Sequence, residues 1–164
     1  MSKEFLVYWR EEQIRSAISD GLLDHAASEQ FGRVTPGDVL WISGKTKDEV
    51  LVTVGPLHVD DIVSHREAKR RLPYTPWPAK YHAFAAPEDA TVSRVISLGP
   101  ILLDLEFVSA VSRRLKINKP IGLQLQAMRQ LSPASAEMIR QLWDGATRSA
   151  TNTFEGIQRD LAGC

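Results

Sequence analysis

Apolar residues along this chain fall into short runs with two different periods. Residues 5–9, Phe-Leu-Val-Tyr-Trp, form a dense run of strand-favouring side chains and predict a first buried strand. From Glu11 to Asp20 the rhythm changes, with Ile14, Ala17 and Ile18 at helical spacing. Gly21 then stands where glycine commonly ends a helix, so a helix over 11–20 is expected. Residues 22–31 read as an irregular or helical continuation. Thr35-Pro36-Gly37-Asp38 predicts a turn, with proline fixing φ and glycine free to make it positive.

Residues 39–43 predict the second strand. With period two, Val39, Trp41 and Ser43 share one face, and Leu40 and Ile42 share the other. Residues 44–48 read as a hairpin loop and 50–54 as its return strand, with Pro56 marking an edge or a bulge. Ser64 is placed to cap a short basic helix that Pro73 ends. Residues 73–78 hold three prolines and two aromatic rings, which excludes regular structure and predicts an extended loop. Strands are expected over 81–86, 92–98 and 101–107. Residues 123–131 have helical composition, and Ser132-Pro133 begins a further helix through Met138, Leu142 and Trp143. Phe154, Ile157 and Leu161 extend an amphipathic pattern.

Composition narrows the class. A chain of 164 residues, 43% apolar and 24% charged, suits one globular domain with a real core. No apolar run nears the ~20 residues of a membrane span, and residues 5–9 are too short for a signal peptide, so a cytoplasmic protein is expected. The one cysteine, Cys164, excludes an internal disulfide and a cysteine-based metal cluster. Net charge is zero but unevenly spread. Residues 1–63 carry 6 basic against 11 acidic side chains, and residues 64–129 carry 11 against 5. Such asymmetry can make one basic face, although a solvated helix surface explains it equally.

The ordered set of a strand ending in an aromatic, a helix, the Gly37-Asp38 turn, a strand ending in Ser43-Gly44 and a return strand resembles the PUA-like superfamily. Within it the chain is most similar to EVE domains and their YTH relatives, over roughly residues 4–110. The resemblance implies an α+β fold: a half-open β-barrel of five to six strands flanked by helices, over residues 1–122. Residues 123–164 form an added helical extension, packed on the barrel or projecting from it. It also implies a pocket that takes a modified nucleobase out of its strand, in RNA for YTH-like members and in DNA, often within bacterial defence, for EVE-like ones. DNA is the expected partner over RNA, with a separate nuclease as a possible companion, and no cofactor.

A flipped base needs aromatic faces for stacking and a few polar groups for its edge. The candidates for base binding are Trp9, Arg10, Trp41, Ser43, Tyr74 and Trp77. Trp77 leads, because a rigid proline-rich loop holds a bulky ring best over something it covers. Trp9 and Trp41, on strands, also suit a packed core. For phosphates the candidates are Arg66, Lys69, Arg70 and Arg71 beside the aromatic loop, with Arg113 and Arg114 as a second patch. No metal site is expected, since His25, His58, His65 and His82 lack metal-ligand spacing, and His82 reads as a packed or surface group. No nucleophile elbow, glycine-rich phosphate loop or paired carboxylates appear, so no catalytic residue is assigned. Two other readings stay open: a protein-interaction or homodimerising module using residues 140–161, and a small hydrolase on the same scaffold.

Overall fold

The computed structural model describes residues 1–109 and 112–149, so the pattern around Phe154, Ile157 and Leu161, and the distal part of the predicted contact helix, lie outside the described residues. In chain order the first elements are β1 (Glu4–Tyr8), α1 (Glu11–Asp20), β2 (Leu22–Leu23), β3 (His25–Ser28), β4 (Val39–Lys45) and β5 (Leu51–His58). They are followed by β6 (Asp61–Ser64), α2 (His65–Arg71), β7 (Tyr81–Phe84), β8 (Thr91–Val92) and β9 (Ile96–Ser97). The last are α3 (Ile121–Gln124), β10 (Arg129–Gln130) and α4 (Pro133–Ser149). The fold is α+β with mixed sheets.

Strands β10, β1, β4, β5 and β9 form a five-stranded sheet in that order, in which only β1 and β4 run parallel. Alternation divides its side chains between two cores. Phe5, Val7, Leu40 and Ile42 meet Ile14 and Ala17 of α1, together with Leu23, Ala26, Phe31 and Ala83. Leu6, Trp41 and Leu51 face the other way, toward Leu98, Leu105, Phe107 and the α4 residues Ala136, Ile139 and Trp143. The α4 residues recur at 136, 139 and 143, one helical stripe that the sheet covers. Above the first core, β3, β7 and β6 form a three-stranded antiparallel sheet, and β2 pairs with β8.

Local chemistry sets the boundaries. Gly21 ends α1 with φ of 77°, and its amide donates to the Ala17 carbonyl. Asp38 is buried, and its carboxylate accepts from the backbone amides of Lys3 and Thr35, fixing the turn to the start of β1. The Ser64 hydroxyl accepts from Glu67 N at 3.3 Å and caps α2. Ser132 accepts from Ser135 N at the start of α4.

The described strands, ten in number, are spread over three sheets and do not close into one barrel. Several local expectations are corrected. Residues 22–31 form β2, β3 and a 3₁₀ turn over Glu29–Arg33, because β8 and β7 supply ladder partners that local spacing does not reveal. Residues 92–98 hold the last residue of β8 and all of β9, with residues 93–95 between them in neither strand. Residues 101–107 are mostly a 3₁₀ helix, Gly99–Asp104, begun by Pro100. Residues 123–131 do not form one helix. After the short α3, β10 turns extended to pair with the open edge of β1, with Phe5 opposite Gln130. Gln30 and Arg33 also hydrogen-bond the Met128 backbone, so residues 125–143 contribute to the same two cores as the strands.

Candidate functional site

A hollow of about 480 Å³ with aromatic walls opens between α1, β3 and the proline-rich loop. Trp9, Tyr74 and Trp77 wall it, and Leu23 and His25 lie among its floor residues. A second hollow of about 260 Å³ shares Trp9, Gln13, Ala27 and Trp77 with it, so the two form one cleft crossed by two indoles. Tyr74 is 57% exposed and Trp77 62%, while Trp9 is half-buried. Large rings this open are unusual in a well-packed monomer, and here they converge.

Each ring is held by its backbone. Trp9 N donates to the Ser43 carbonyl at 2.7 Å, extending the β1–β4 pairing by one residue. Behind it, a Cβ on Gly44 would lie 2.6 Å from Ile14 Cγ1 and 2.9 Å from the Trp9 carbonyl oxygen. Glycine at 44 therefore lets α1 and the end of β1 close on β4. In the loop, Pro76 and Ala79 are buried and anchor the exposed Trp77 between them. Ala79 N donates to the Trp77 carbonyl at 2.8 Å.

Three histidines tie the floor of the cleft to this loop. His82, fully buried on β7, places Nε2 3.0 Å from the Ala79 carbonyl oxygen and Nδ1 2.9 Å from His25 Nε2. A carbonyl only accepts, so His82 Nε2 carries the proton and its Nδ1 accepts from His25 Nε2–H. His25 Nδ1 is left as a lone pair. His65 Nδ1, 3.0 Å from His82 Nε2, continues the chain to the first turn of α2. Burial, and then the neighbouring His82, push the His25 ring down to about 4, so it is neutral near pH 7. His82 is lowered as well, with burial the largest cause. These rings run in line rather than converging, and no group of three or more histidine, cysteine, aspartate or glutamate side chains among the described residues is arranged to hold a metal ion.

The candidates named from sequence separate into groups. Trp9, Tyr74 and Trp77 line the cleft; Trp41 and Ser43 do not. Trp41 is 1% exposed, lies edge-on to Trp143 at 6.2 Å, and donates from Nε1 to Glu4 Oε2 at 2.7 Å. Ser43 is fully buried, and its hydroxyl donates to the Trp41 carbonyl at 3.3 Å. The alternation along β4 is as read, but Trp41 looks into the α4 core and both side chains are sealed from the cleft. Arg10 is exposed just before α1 and lines neither hollow; its amide donates to Gln13 Oε1.

Among the basic residues, Arg70 pairs with Glu67 at 2.5 Å, and Arg71 with Asp61 at 2.8 Å and Glu67 at 3.3 Å. Arg66 and Lys69 are exposed and make no ion pair among the described residues. Arg114 is taken by Glu106 at 2.5 Å, and Arg113 lies beside the same carboxylate, away from the cleft. Sequence reasoning missed His25, Asp20 and Asp24 as cleft residues. A signal for the α1 side existed: Gln13, Ser16 and Asp20 repeat at three to four residues on one face, and all three line the cleft.

No protein-family model matches this chain, and no curated protein matches it. No helix among the described residues is long and apolar enough to cross a membrane.

Proposed function

We propose that this protein is a cytoplasmic nucleic-acid-binding module that receives a modified nucleobase between Trp9, Tyr74 and Trp77, on a scaffold of the PUA-like, EVE type. DNA is the favoured polymer. The observation that carries the reading is the meeting at one open cleft of Trp9, at the end of β1, with Tyr74 and Trp77 of the proline-rich loop, more than sixty residues away in the chain. A volume of about 480 Å³ falls within the ~300–1,000 Å³ usual for ligand sites and accommodates one planar heterocycle. Stacking contributes roughly 1–3 kcal/mol per aromatic face, and unstacking a base costs a few kcal/mol, so two indole faces offset the extrusion. Helix α2 precedes the aromatic loop in the chain, and its Arg66 and Lys69 are exposed with no ion pair among the described residues, which supports a role for them in meeting phosphates.

Fluorescence anisotropy with otherwise identical modified and unmodified oligonucleotides tests the reading. Selective binding of a modified strand is expected, and Trp77→Ala should weaken it about 10-fold or more, the loss of one stacking face. Selective binding that survives Trp77→Ala unchanged would place the site elsewhere.

A further inference from the structure

The charges lining the cleft are of one sign. Asp20 and Asp24 stand on its wall and Glu29 on the adjoining hollow, whereas no lysine or arginine lines either, among the described residues. The negative field reaches the aromatic wall: the Tyr74 hydroxyl is held above its ordinary value by burial first, then by Asp24 and Asp20. His25 adds no opposing charge near neutral pH, because its ring is neutral there. Its Nε2 is engaged by His82, which leaves Nδ1 able only to accept. The indole and phenol faces themselves favour a cation over a neutral ring.

We infer that the cleft selects a nucleobase bearing a positive charge, of the kind an N-alkylated purine carries, over its neutral isomer. This rests on the base-reading function proposed above and adds to it the chemistry of the modification. Walls of tryptophan supply stacking and a cation–π attraction, and the two aspartates supply the counter-charge. A phosphate drawn toward Asp20 and Asp24 would be repelled, so the strand's backbone must pass outside this rim. Arg66 and Lys69 on α2 lie outside it and are free to meet it. The separation of sign between rim and helix makes only the base, not the backbone, welcome inside.

The test uses the full chain and a pair of isomeric nucleosides, cationic 1-methyladenosine and neutral N6-methyladenosine, with binding read by quenching of tryptophan fluorescence and by calorimetry. The cationic isomer should bind about tenfold tighter or more, as expected for a charge near two carboxylates and aromatic faces. Asp20→Asn combined with Asp24→Asn should remove that preference while leaving N6-methyladenosine within about twofold. Asp144→Asn, on α4 and away from the cleft, should change neither. Equal or tighter binding of the neutral isomer, with both weakened by Trp77→Ala, would overturn the charge selectivity and leave the base-reading function standing. Absence of binding by any nucleoside, or capture of a trimethyl-lysine peptide in their place, would overturn both.

Discussion

Acidification should load a proton onto a histidine that the fold keeps neutral, and the resulting loss of stability can be worked from the structure. His25 has an ordinary value of 6.5 and a folded value of about 4, lowered mainly by burial and secondarily by His82. Between those values the unfolded chain holds a proton on this ring that the folded chain does not. The unfolded state thus binds more protons, and stability falls as pH drops from about 6.5 to about 4, then levels off for this group. At about 1.4 kcal/mol per pKa unit the full loss is about 3 kcal/mol. The side of His25 that meets the cleft admits water, so about 1–3 kcal/mol is expected. The rings packed on it are His82 and Phe84, Asp24 and Tyr74 line the same cleft, and the direction of the shift is set by burial first and His82 second.

The assay is urea or thermal unfolding of the wild-type chain and of His25→Gln across about pH 7 to 4. Glutamine places an amide N–H where Nε2 stands, retaining donation to His82 without a titrating ring. Carboxylates that lose ion pairs in acid affect both proteins alike, among them Glu106, which the hydrogen bond from Arg114 holds low. The difference between the two curves isolates His25. It should change by about 1–3 kcal/mol, or roughly 2–12 °C in Tm for a chain of this size. Curves that run parallel through this window would refute the buried neutral histidine.

Three further outcomes are expected. Trp41→Ala should cost about 3–5 kcal/mol in urea unfolding, since it empties a fully buried site against Trp143 and removes the indole hydrogen bond to Glu4 Oε2, leaving that carboxylate only its ion pair with Arg140. Gly44→Ala should destabilise by about 1–3 kcal/mol and also weaken oligonucleotide binding, because the new methyl group presses on Ile14 and on the backbone of Trp9. Arg66→Ala with Lys69→Ala should weaken oligonucleotide binding irrespective of base modification and reduce the dependence of log Kd on log salt by about 1–2, with titrations at several salt concentrations as the check.

Elements whose boundaries are written locally were legible in the sequence. Helix α1 with its Gly21 terminus, the alternation of β4, the Ser64 cap of α2 and the Ser132-Pro133 start of α4 all follow from neighbours within a few residues. Residues 123–131 were misread because their composition favours a helix, while the unpaired edge of β1 offers ladder hydrogen bonds that only the folded chain can present. The site was half legible for the same reason. Odd positions of β4 share a face, but the sequence does not say which face α4 will cover, so Trp41 stood level with Trp9. The histidine chain was invisible: His25 and His82 are 57 residues apart, and only the pairing of β3 with β7 sets their rings side by side.

The two residues of β10 occupy the outer side of β1, where they meet Phe5 and Leu6. A fragment cut before residue 125 would leave that row of amides and carbonyls bare, next to the apolar side chains that Leu125, Met128 and Leu131 now cover. Such a fragment would find its missing strand in another copy of itself and run as oligomers or aggregate. The short strand β10 thus acts as a built-in guard against self-association.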